Sequence, residues 1–239
     1  MSNFRFSAGP WNVHEGADAF GPAVRKTIEL DKKVAKLKEI GFDAIQFHDD
    51  DAVPDINGLS YSQITAKSKA VKKILDNNGM AAEFVAPRLW MDPRTVDGGF
   101  TSNSKDDREF ALWRSLRSID IARELGCDKI VLWLAREGTL CSESKCAVEG
   151  IKRLIESINK MLEYDKNIKV LIEPKPNEPI DRSFCGTIGH VMGLSAATMD
   201  PSRVGGLLES AHAILAGLDP ANEISFRIGI QQAVGSSSQ

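Results

Sequence analysis

Long hydrophobic runs are absent from this chain of 239 residues. No window approaches the roughly 18 apolar residues that a membrane span requires. The opening stretch, MSNFRFSAGPWNV, also lacks the apolar core of a signal peptide. We therefore expect a cytoplasmic protein with no membrane partner. An excess of positive charge is lacking too, since the formal net charge is -3, and this argues against nucleic acid, which favours a basic face.

Cysteine is scarce, and its spacing matches no metal or redox motif. The four cysteines form no CxxC pair and have no histidine at a matching distance. We interpret them as reduced, structural thiols, as is usual in a cytoplasmic protein. The late part of the chain also lacks a glycine-rich phosphate cradle, which argues against a sugar-phosphate substrate.

Short apolar runs typical of buried strands recur along the chain, with amphipathic helical stretches between them. The predicted strands cover residues 4–7, 44–47, 81–86, 129–133, 169–173 and 204–209. The predicted helices cover 28–41, 64–79, 106–126, 147–164, 187–197 and 221–233, and the first three end at a glycine. This alternation predicts an α/β protein with a parallel sheet.

Six βα units fit either a doubly wound sheet or a (β/α)8 barrel, which typically needs about 250 residues and eight strands. A barrel here would be incomplete. We predict a single domain over residues 1–239, with a small, polar and disordered tail at 235–239.

Polar residues follow several predicted strands at the point where each strand ends. The segments are FHDDD (47–51), LAREG (134–138), EPKPNE (173–178) and GGLLESAH (205–212). In parallel α/β folds, functional sites form at the carboxyl ends of the strands. Several strands with this pattern are a stronger indication of a site than any one of these motifs.

Two carboxylates at these strand ends, Glu173 and Glu209, are predicted to face one site together with His212. Buried carboxylates that share a site need a cation or a shared proton. Oxygen ligands with one imidazole suit Mg, Mn or Co. The alternative is that both glutamates cap loops or form salt bridges with Lys175 and Arg136.

Lys175 lies between two prolines, which hold the chain extended near the predicted site. A cation at this position could polarise a substrate oxygen, although a surface turn with a solvated lysine is the plainer interpretation. Trp11, Trp90 and Trp133 fall in or just after strand ends. They either pack in the core or form an apolar wall for a sugar.

The motifs together resemble one enzyme family. FHDDD, DGGFTSN (97–103), LWLAREG (132–138), IEPKPNEP (172–179) and TIGHV followed by GGLLESAH resemble xylose isomerase of the shorter, actinobacterial type. The similarity extends from RFSAGPW to about Asp219.

The resemblance implies a (β/α)8 barrel that interconverts D-xylose and D-xylulose, and D-glucose and D-fructose, by a metal-assisted hydride shift. It implies two divalent cations, with Mg favoured and Mn or Co possible, and a homotetramer at full length. Trp11 and Trp133 match pocket tryptophans of the family. Phe20 matches a phenylalanine that reaches into the neighbouring subunit's pocket.

The same resemblance implies roles for the polar residues. His48, oriented by Asp51, would assist opening of the sugar ring, while Asp49 and Asp50 would lie in solvent or near basic side chains. The metals and the reacting carbonyl would be held by a second group of residues: Glu173 and Glu209 on one metal, Glu209 and His212 on the other, and Lys175 on the carbonyl oxygen.

Some positions depart from the family's pattern. Trp90 replaces the usual phenylalanine, Ala86 a threonine and Leu134 a glycine, which would change the pocket's volume and sugar preference. In register, the remaining metal-ligating aspartates of the family would begin near Ser237, and their stretches are absent from the sequence. We expect a C-terminally truncated xylose isomerase.

Two other functions fit the sequence. One is a non-catalytic remnant of the same fold that binds a sugar or a partner chain, which the missing aspartates favour. The other is a different divalent-metal barrel, such as an apurinic endonuclease or a sugar epimerase. The acidic charge argues against the endonuclease.

Overall fold

The computed structural model describes residues 4–14, 16 and 24–236, with side chains as far as residue 230. In this part of the chain, six strands form one parallel sheet in which spatial order follows chain order. These strands are β1 (Ser7–Ala8), β2 (Ala44–His48), β3 (Ala81–Ala86), β4 (Lys129–Trp133), β6 (Lys169–Glu173) and β8 (Val204–Gly206). Two short strands, β5 (Gly138–Thr139) and β7 (Arg182–Ser183), form a separate antiparallel pair.

Helices follow the strands of the parallel sheet. They are α1 (Leu30–Glu39), α2 (Asp49–Ala52), α3 (Tyr61–Asn77), α4 (Lys105–Leu125), α5 (Ala147–Tyr164), α6 (Ile188–Ala196), α7 (Ser210–Leu215) and α8 (Pro220–Ser236). Short 3-10 turns cover Pro10–Asn12, Ile56–Gly58, Leu89–Met91, Pro93–Thr95, Ser142–Ser144 and Pro201–Arg203. The predicted α/β class with six consecutive strand–helix units is therefore confirmed.

Local sequence explains how these elements form. Ser60 caps the N-terminus of α3: its hydroxyl accepts a hydrogen bond from the Gln63 backbone amide, and the Gln63 side chain accepts one from the Ser60 amide. This reciprocal capping satisfies two backbone donors that have no partner within the helix. Helix α5 buries a stripe at helical spacing that includes Leu154, Ile158 and Met161.

Packing divides the chain into two compact units. The first contains residues 1–87 and 117–130, and the second contains residues 88–116 and 131–239. Ile45, Phe47 and Ile64 are fully buried in the first unit. Leu154 and Ile172 are fully buried in the second.

The sequence-based boundaries fail at a few points. Strand β1 covers only Ser7–Ala8 rather than residues 4–7, and Phe4 and Phe6 are exposed. Strand β8 ends at Gly206, so Glu209 lies beyond the strand and caps the N-terminus of α7, a helix that the sequence did not predict. Helix α8 continues to Ser236, two residues into the predicted disordered tail, and residues 237–239 lie outside the described part.

Among the described helices, none is both long enough and apolar enough to cross a membrane.

Truncation of a core residue tests the packing of the first unit. Ile64 is fully buried, whereas Ile40 is 59% exposed just after α1. Ile64→Ala should lower the free energy of unfolding by about 2–5 kcal/mol, because it leaves a cavity. Ile40→Ala should change it by only about 0.5 kcal/mol. Urea denaturation measures both, and equal losses would contradict this packing.

Candidate functional site

A cluster of polar side chains in the second unit is built where β6 and β8 end. Glu173 is the last residue of β6. Strand β8 pairs in parallel with β6 through Ile172 and Gly206, and the Leu207 amide then donates to the Ile172 carbonyl at 2.9 Å. This pairing places the start of α7 beside the end of β6.

Helix α7 supplies the other two predicted metal ligands. Glu209 caps this helix, and its Oε1 accepts a hydrogen bond from the Ala211 amide at 3.1 Å. His212 lies in the first turn, and its Nδ1 is 3.3 Å from Oε1 of Glu173. The His212 and Glu173 side chains are mostly buried, at 16% and 20% exposure. The capping role that the sequence left as an alternative is thus real for Glu209.

The charges of this cluster shift the ionisation of Glu173. Burial, and to a smaller extent the nearby Glu209 carboxylate, raise its pKa to about 7, against an opposing effect of Lys175. Burial also lowers the pKa of His212, as does the positive charge of Lys175, against an opposing effect of Glu209. Near neutral pH, Glu173 therefore exchanges a proton readily while His212 favours the neutral form.

Aromatic rings surround these polar groups. The Trp133 ring stacks parallel to His212, with centroids 6.3 Å apart and an angle of 9° between the ring planes. Trp90 contacts Trp133 edge-on, with centroids 4.4 Å apart. Lys175 is only 14% exposed, and its Nζ lies 5.4 Å from the Trp133 ring centroid and 3.4 Å from Glu178. The second unit thus brings together all six candidate residues that it contains.

Two buried nitrogen atoms in this cluster have no hydrogen-bond partner within the described part of the chain. They are Nε1 of Trp133 and Nδ1 of His212. Buried polar atoms are nearly always paired in folded proteins. A ligand oxygen could accept a hydrogen bond from the Trp133 indole N–H, and a cation could bind a lone pair of the His212 imidazole.

A divalent cation fits the chemistry of the donors. Glu173 and Glu209 offer oxygen and His212 offers a largely neutral imidazole, a set that suits Mg, Mn or Co. A cation would also neutralise the two adjacent carboxylates. However, no group of three or more His, Cys, Asp or Glu side chains is arranged to hold a metal within the described residues. The assignment of two metals to this chain stays a prediction.

The first unit holds the predicted ring-opening pair. His48 ends β2, and its Nδ1 lies 2.9 Å from Oδ2 of Asp51, which also accepts the His48 amide at 3.0 Å. This double contact fixes the orientation of the imidazole. The Trp11 ring packs on His48, with centroids 4.1 Å apart. Phe20 lies outside the described residues.

The run of three aspartates after His48 forms a short helix rather than a solvated loop. Carboxylates are stabilised at the N-terminus of a helix, where backbone amides are unpaired. Asp49 is completely buried and accepts a hydrogen bond from the Ser118 hydroxyl at 3.3 Å. Of the two positions expected for Asp49, solvent is therefore excluded, and one partner of the buried carboxylate comes from α4, distant in sequence.

Sequence reasoning missed Glu137 and Lys145. Glu137 is 3% exposed and Lys145 is 5% exposed, although both residue types are rarely buried without partners. The only sequence signal was the position of Glu137 in the polar segment 134–138, which follows the strand that ends at Trp133.

Comparison with known proteins defines the family. Residues 34–235 match the family model described as xylose isomerase-like TIM barrel, and the chain belongs to this family. The specific resemblance to xylose isomerase is therefore supported only at the level of this broader family.

Solved structures with a similar fold agree with this assignment. A D-tagatose 3-epimerase-like protein is 17% identical, with a TM-score of 0.66 over 94% of this chain and 71% of the other. A probable 3-DHS dehydratase of petrobactin synthesis from Bacillus anthracis is 15% identical, with a TM-score of 0.65 over 95% and 70%. A D-psicose 3-epimerase, solved in the presence of D-fructose, is 16% identical, with a TM-score of 0.59 over 79% of this chain.

These similarities establish a TIM-barrel fold and no particular reaction. The chain spans 61% of the length of the D-psicose 3-epimerase. At this identity, the fold is shared while the chemistry depends on the side chains of the site.

The raised pKa of Glu173 predicts how stability varies with pH when a chelator is present. The folded pKa of about 7 lies above the ordinary value of 4.5. Glu173 therefore contributes stability that is complete below pH 4.5 and is lost as the pH rises through about 7. Glu173→Gln should remove this loss, about 3 kcal/mol if the whole shift is expressed.

Urea denaturation from pH 4 to pH 8 measures this effect. Glu163→Gln, at an exposed position of α5, serves as the control. Its free energy of unfolding should vary with pH as steeply as that of the parent protein. An identical slope in the parent and in Glu173→Gln would contradict the electrostatic description of the cluster.

Proposed function

We propose that this chain carries an aldose–ketose isomerase site that acts on a small unphosphorylated sugar, D-xylose first and D-glucose second. The observation that carries the proposal is the cluster of Glu173, Lys175, Glu209 and His212 at the ends of β6 and β8, against Trp133. The EPKPNEP and GGLLESAH motifs, which resemble xylose isomerase, support it.

In this proposal, Lys175 binds the oxygen at which negative charge develops. The prolines on either side hold its backbone extended, and its amide donates to the Cys185 carbonyl at 3.2 Å. Its ammonium group is therefore preorganised and mostly shielded from water. A preorganised cation in a dry site stabilises developing charge far better than a solvated one.

Trp133 and Trp90 form the apolar side of the same site. Their edge-on contact presents indole surface beside the polar cluster. The C–H face of a sugar can pack on such a surface, and water is kept from the reacting carbons. Trp90, Ala86 and Leu134 would set the sugar preference, since they depart from the family's pattern.

Glu173, Glu209 and His212 would hold the divalent cation, whose contribution when bound is to polarise the sugar's carbonyl and hydroxyl oxygens. The opposing pKa shifts of these groups support the assignment. A neighbouring positive charge would stabilise the ionised form of Glu173, and a neutral His212 has a lone pair that can coordinate a cation.

His48 and Asp51 would serve the opening of the sugar ring. An imidazole whose Nδ1 is held by a carboxylate has a defined tautomer, and its other nitrogen can move a proton to or from the ring oxygen. Trp11 would position the imidazole by packing on it. We also propose that the protein acts in the cytoplasm as a homotetramer, with Phe20 contributed across a subunit boundary.

A second candidate function is the epimerisation of a ketose. A carboxyl group with a pKa of about 7 beside a second carboxylate is suited to removing and returning a proton at neutral pH. The names of two structural neighbours, a D-psicose 3-epimerase and a D-tagatose 3-epimerase-like protein, favour this alternative.

Product analysis in deuterated water distinguishes the two reactions. The protein is incubated with D-xylose, D-glucose, D-fructose or D-psicose and with Mg, Mn or Co, and the sugars are followed by NMR. Isomerisation by hydride shift should give the ketose from the aldose with no deuterium on the transferred position. Epimerisation by proton transfer should place deuterium at the inverted carbon.

The outcomes of this experiment are unambiguous. A chelator should abolish either reaction. Conversion of D-xylose without deuterium uptake supports the isomerase, and deuterium at C3 of a ketose supports the epimerase. A folded protein that binds metal and converts none of these sugars refutes both and supports a non-catalytic sugar-binding protein.

The role of His48 can be separated from metal binding. His48→Asn should slow turnover of the cyclic sugar at least about tenfold, because general acid–base catalysis contributes about 10²- to 10⁴-fold. It should leave the Kd for Mn within about twofold, measured by calorimetry. His190→Asn, at an exposed histidine of α6, is the matched control. Loss of Mn binding in His48→Asn would show that its assigned role is wrong.

A further inference from the structure

We propose that Glu137, with Lys145, is a positioning residue for the candidate site, because together they fix the loop of residues 97–101 against the segment that follows β4. This inference rests on the proposed function, since it gives these residues the role of positioning the side chains that line the proposed sugar pocket. Neither residue is expected to contact the sugar.

The Glu137 carboxylate binds the loop through four hydrogen bonds. Its Oε1 accepts the amides of Gly99 and Phe100 at 2.8 and 3.0 Å. Its Oε2 accepts the amide of Thr101 at 2.9 Å and also the Thr101 hydroxyl. A carboxylate buried to this degree is costly unless its oxygens are paired, and here both oxygens are.

Two glycines permit this close approach. Gly98 has φ +91°, in the left-handed region that favours glycine, and a Cβ there would lie 2.6 Å from the Thr101 hydroxyl and 3.0 Å from Oε2 of Glu137. A Cβ on Gly99 would lie 3.2 Å from Oε1 and 3.0 Å from the Cβ of Ala111. Side chains at these positions would push the loop off the carboxylate.

Lys145 binds the same loop through its carbonyl groups. The Lys145 side chain is completely buried. Its Nζ donates to the Asp97 carbonyl and, at 3.3 Å, to the Gly138 carbonyl. Glu137 thus satisfies the loop's amides while Lys145 satisfies a carbonyl at its start. Opposite charges on the two sides hold both the loop and the segment after β4.

The loop of residues 97–101 also contacts the residue that precedes Trp90. Leu89 packs beside Gly99, with its Cδ1 3.5 Å from the position of a Cβ there, and the Leu89 carbonyl accepts the Thr95 hydroxyl. Trp90, the next residue, contacts Trp133. Fixing Gly99 therefore limits where the Trp90 ring can lie.

A second path leads from Glu137 to Lys175. The Glu137 carbonyl accepts the Phe184 amide at 2.9 Å, and the Cys185 carbonyl accepts the Lys175 amide at 3.2 Å. The antiparallel pairing of β5 with β7 reinforces this connection. Glu137 is thus linked both to the Trp90 and Trp133 rings and to Lys175 of the candidate site.

Glu137→Gln tests this role. Glutamine keeps the size of the side chain but replaces one acceptor oxygen with an NH₂ group that faces amide and hydroxyl donors. The loop should loosen, so near-UV circular dichroism of the indoles should fall, and acrylamide should quench tryptophan fluorescence at least twofold more strongly. The same substitution made in a Trp90→Phe background should produce no more than a small part of this change.

A second variant and a control complete the test. Thr101→Val removes only the hydroxyl donor, so it should move both signals in the same direction by a smaller amount, and it decides the matter if Glu137→Gln does not fold. Glu163→Gln should move neither signal. If the protein turns over a sugar, Glu137→Gln should raise KM at least fivefold and lower kcat by less.

The outcomes separate this inference from the proposed function. The spectroscopic signals need no turnover, so they can support positioning by Glu137 even when no sugar is converted. A variant that melts at a lower temperature but keeps the parent's near-UV spectrum and quenching overturns the inference, because Glu137 would then only stabilise the fold. Equal changes in the Trp90→Phe background would also overturn it.

Discussion

The placement of a buried negative charge at the end of β6 governs the chemistry of the second unit. Glu173 is largely removed from water and lies near another carboxylate, so its ionised form needs a positive neighbour. Lys175 supplies part of that charge from the same short segment. His212, itself kept mostly neutral, supplies a lone pair instead. The cluster is therefore tuned to accept a cation or a proton, and these are the two species that sugar isomerisation and epimerisation require.

The family assignment and the side chains answer different questions. Membership of the xylose isomerase-like TIM barrel family accounts for the parallel sheet. The names of structurally similar proteins cover epimerisation and dehydration, so the fold leaves the reaction open. Under the proposed function, the choice between the two reactions would depend on whether Glu173 holds a cation or moves a proton.

Much of the fold and of the site could be predicted from the sequence, because the signals are local. Amphipathic helices and apolar strands repeat clearly, and parallel strands bring their carboxyl ends to one edge of the sheet. Glu173, Lys175 and His212 could be grouped on this basis alone. The position of Glu209 was less well predicted, since the apolar run VGGLLE continues past the residues that pair with β6.

Features that depend on contacts distant in sequence could not be predicted. Asp49 is buried by Ser118, 69 residues away, and Glu137 binds a loop 36 to 38 residues before it. No periodicity or local motif reports such pairs. Residues 4–6 alternate like a strand, yet β1 pairs with β2 only through Ser7 and Ala8. Strand propensity is realised only where a neighbouring strand offers a partner.

The pairing of β8 with β6 has a consequence for any ligand of the cluster. Three residue pairs, from Val170 with Val204 to Ile172 with Gly206, and the hydrogen bond from Leu207 to Ile172 join β6 to the segment that leads to Glu209 and His212. A cation bound by residues at the ends of both strands would add one more connection between β6 and the segment after β8. Its binding energy would then resist fraying of β8, so occupancy of the site and closure of this sheet edge would be a single coupled equilibrium.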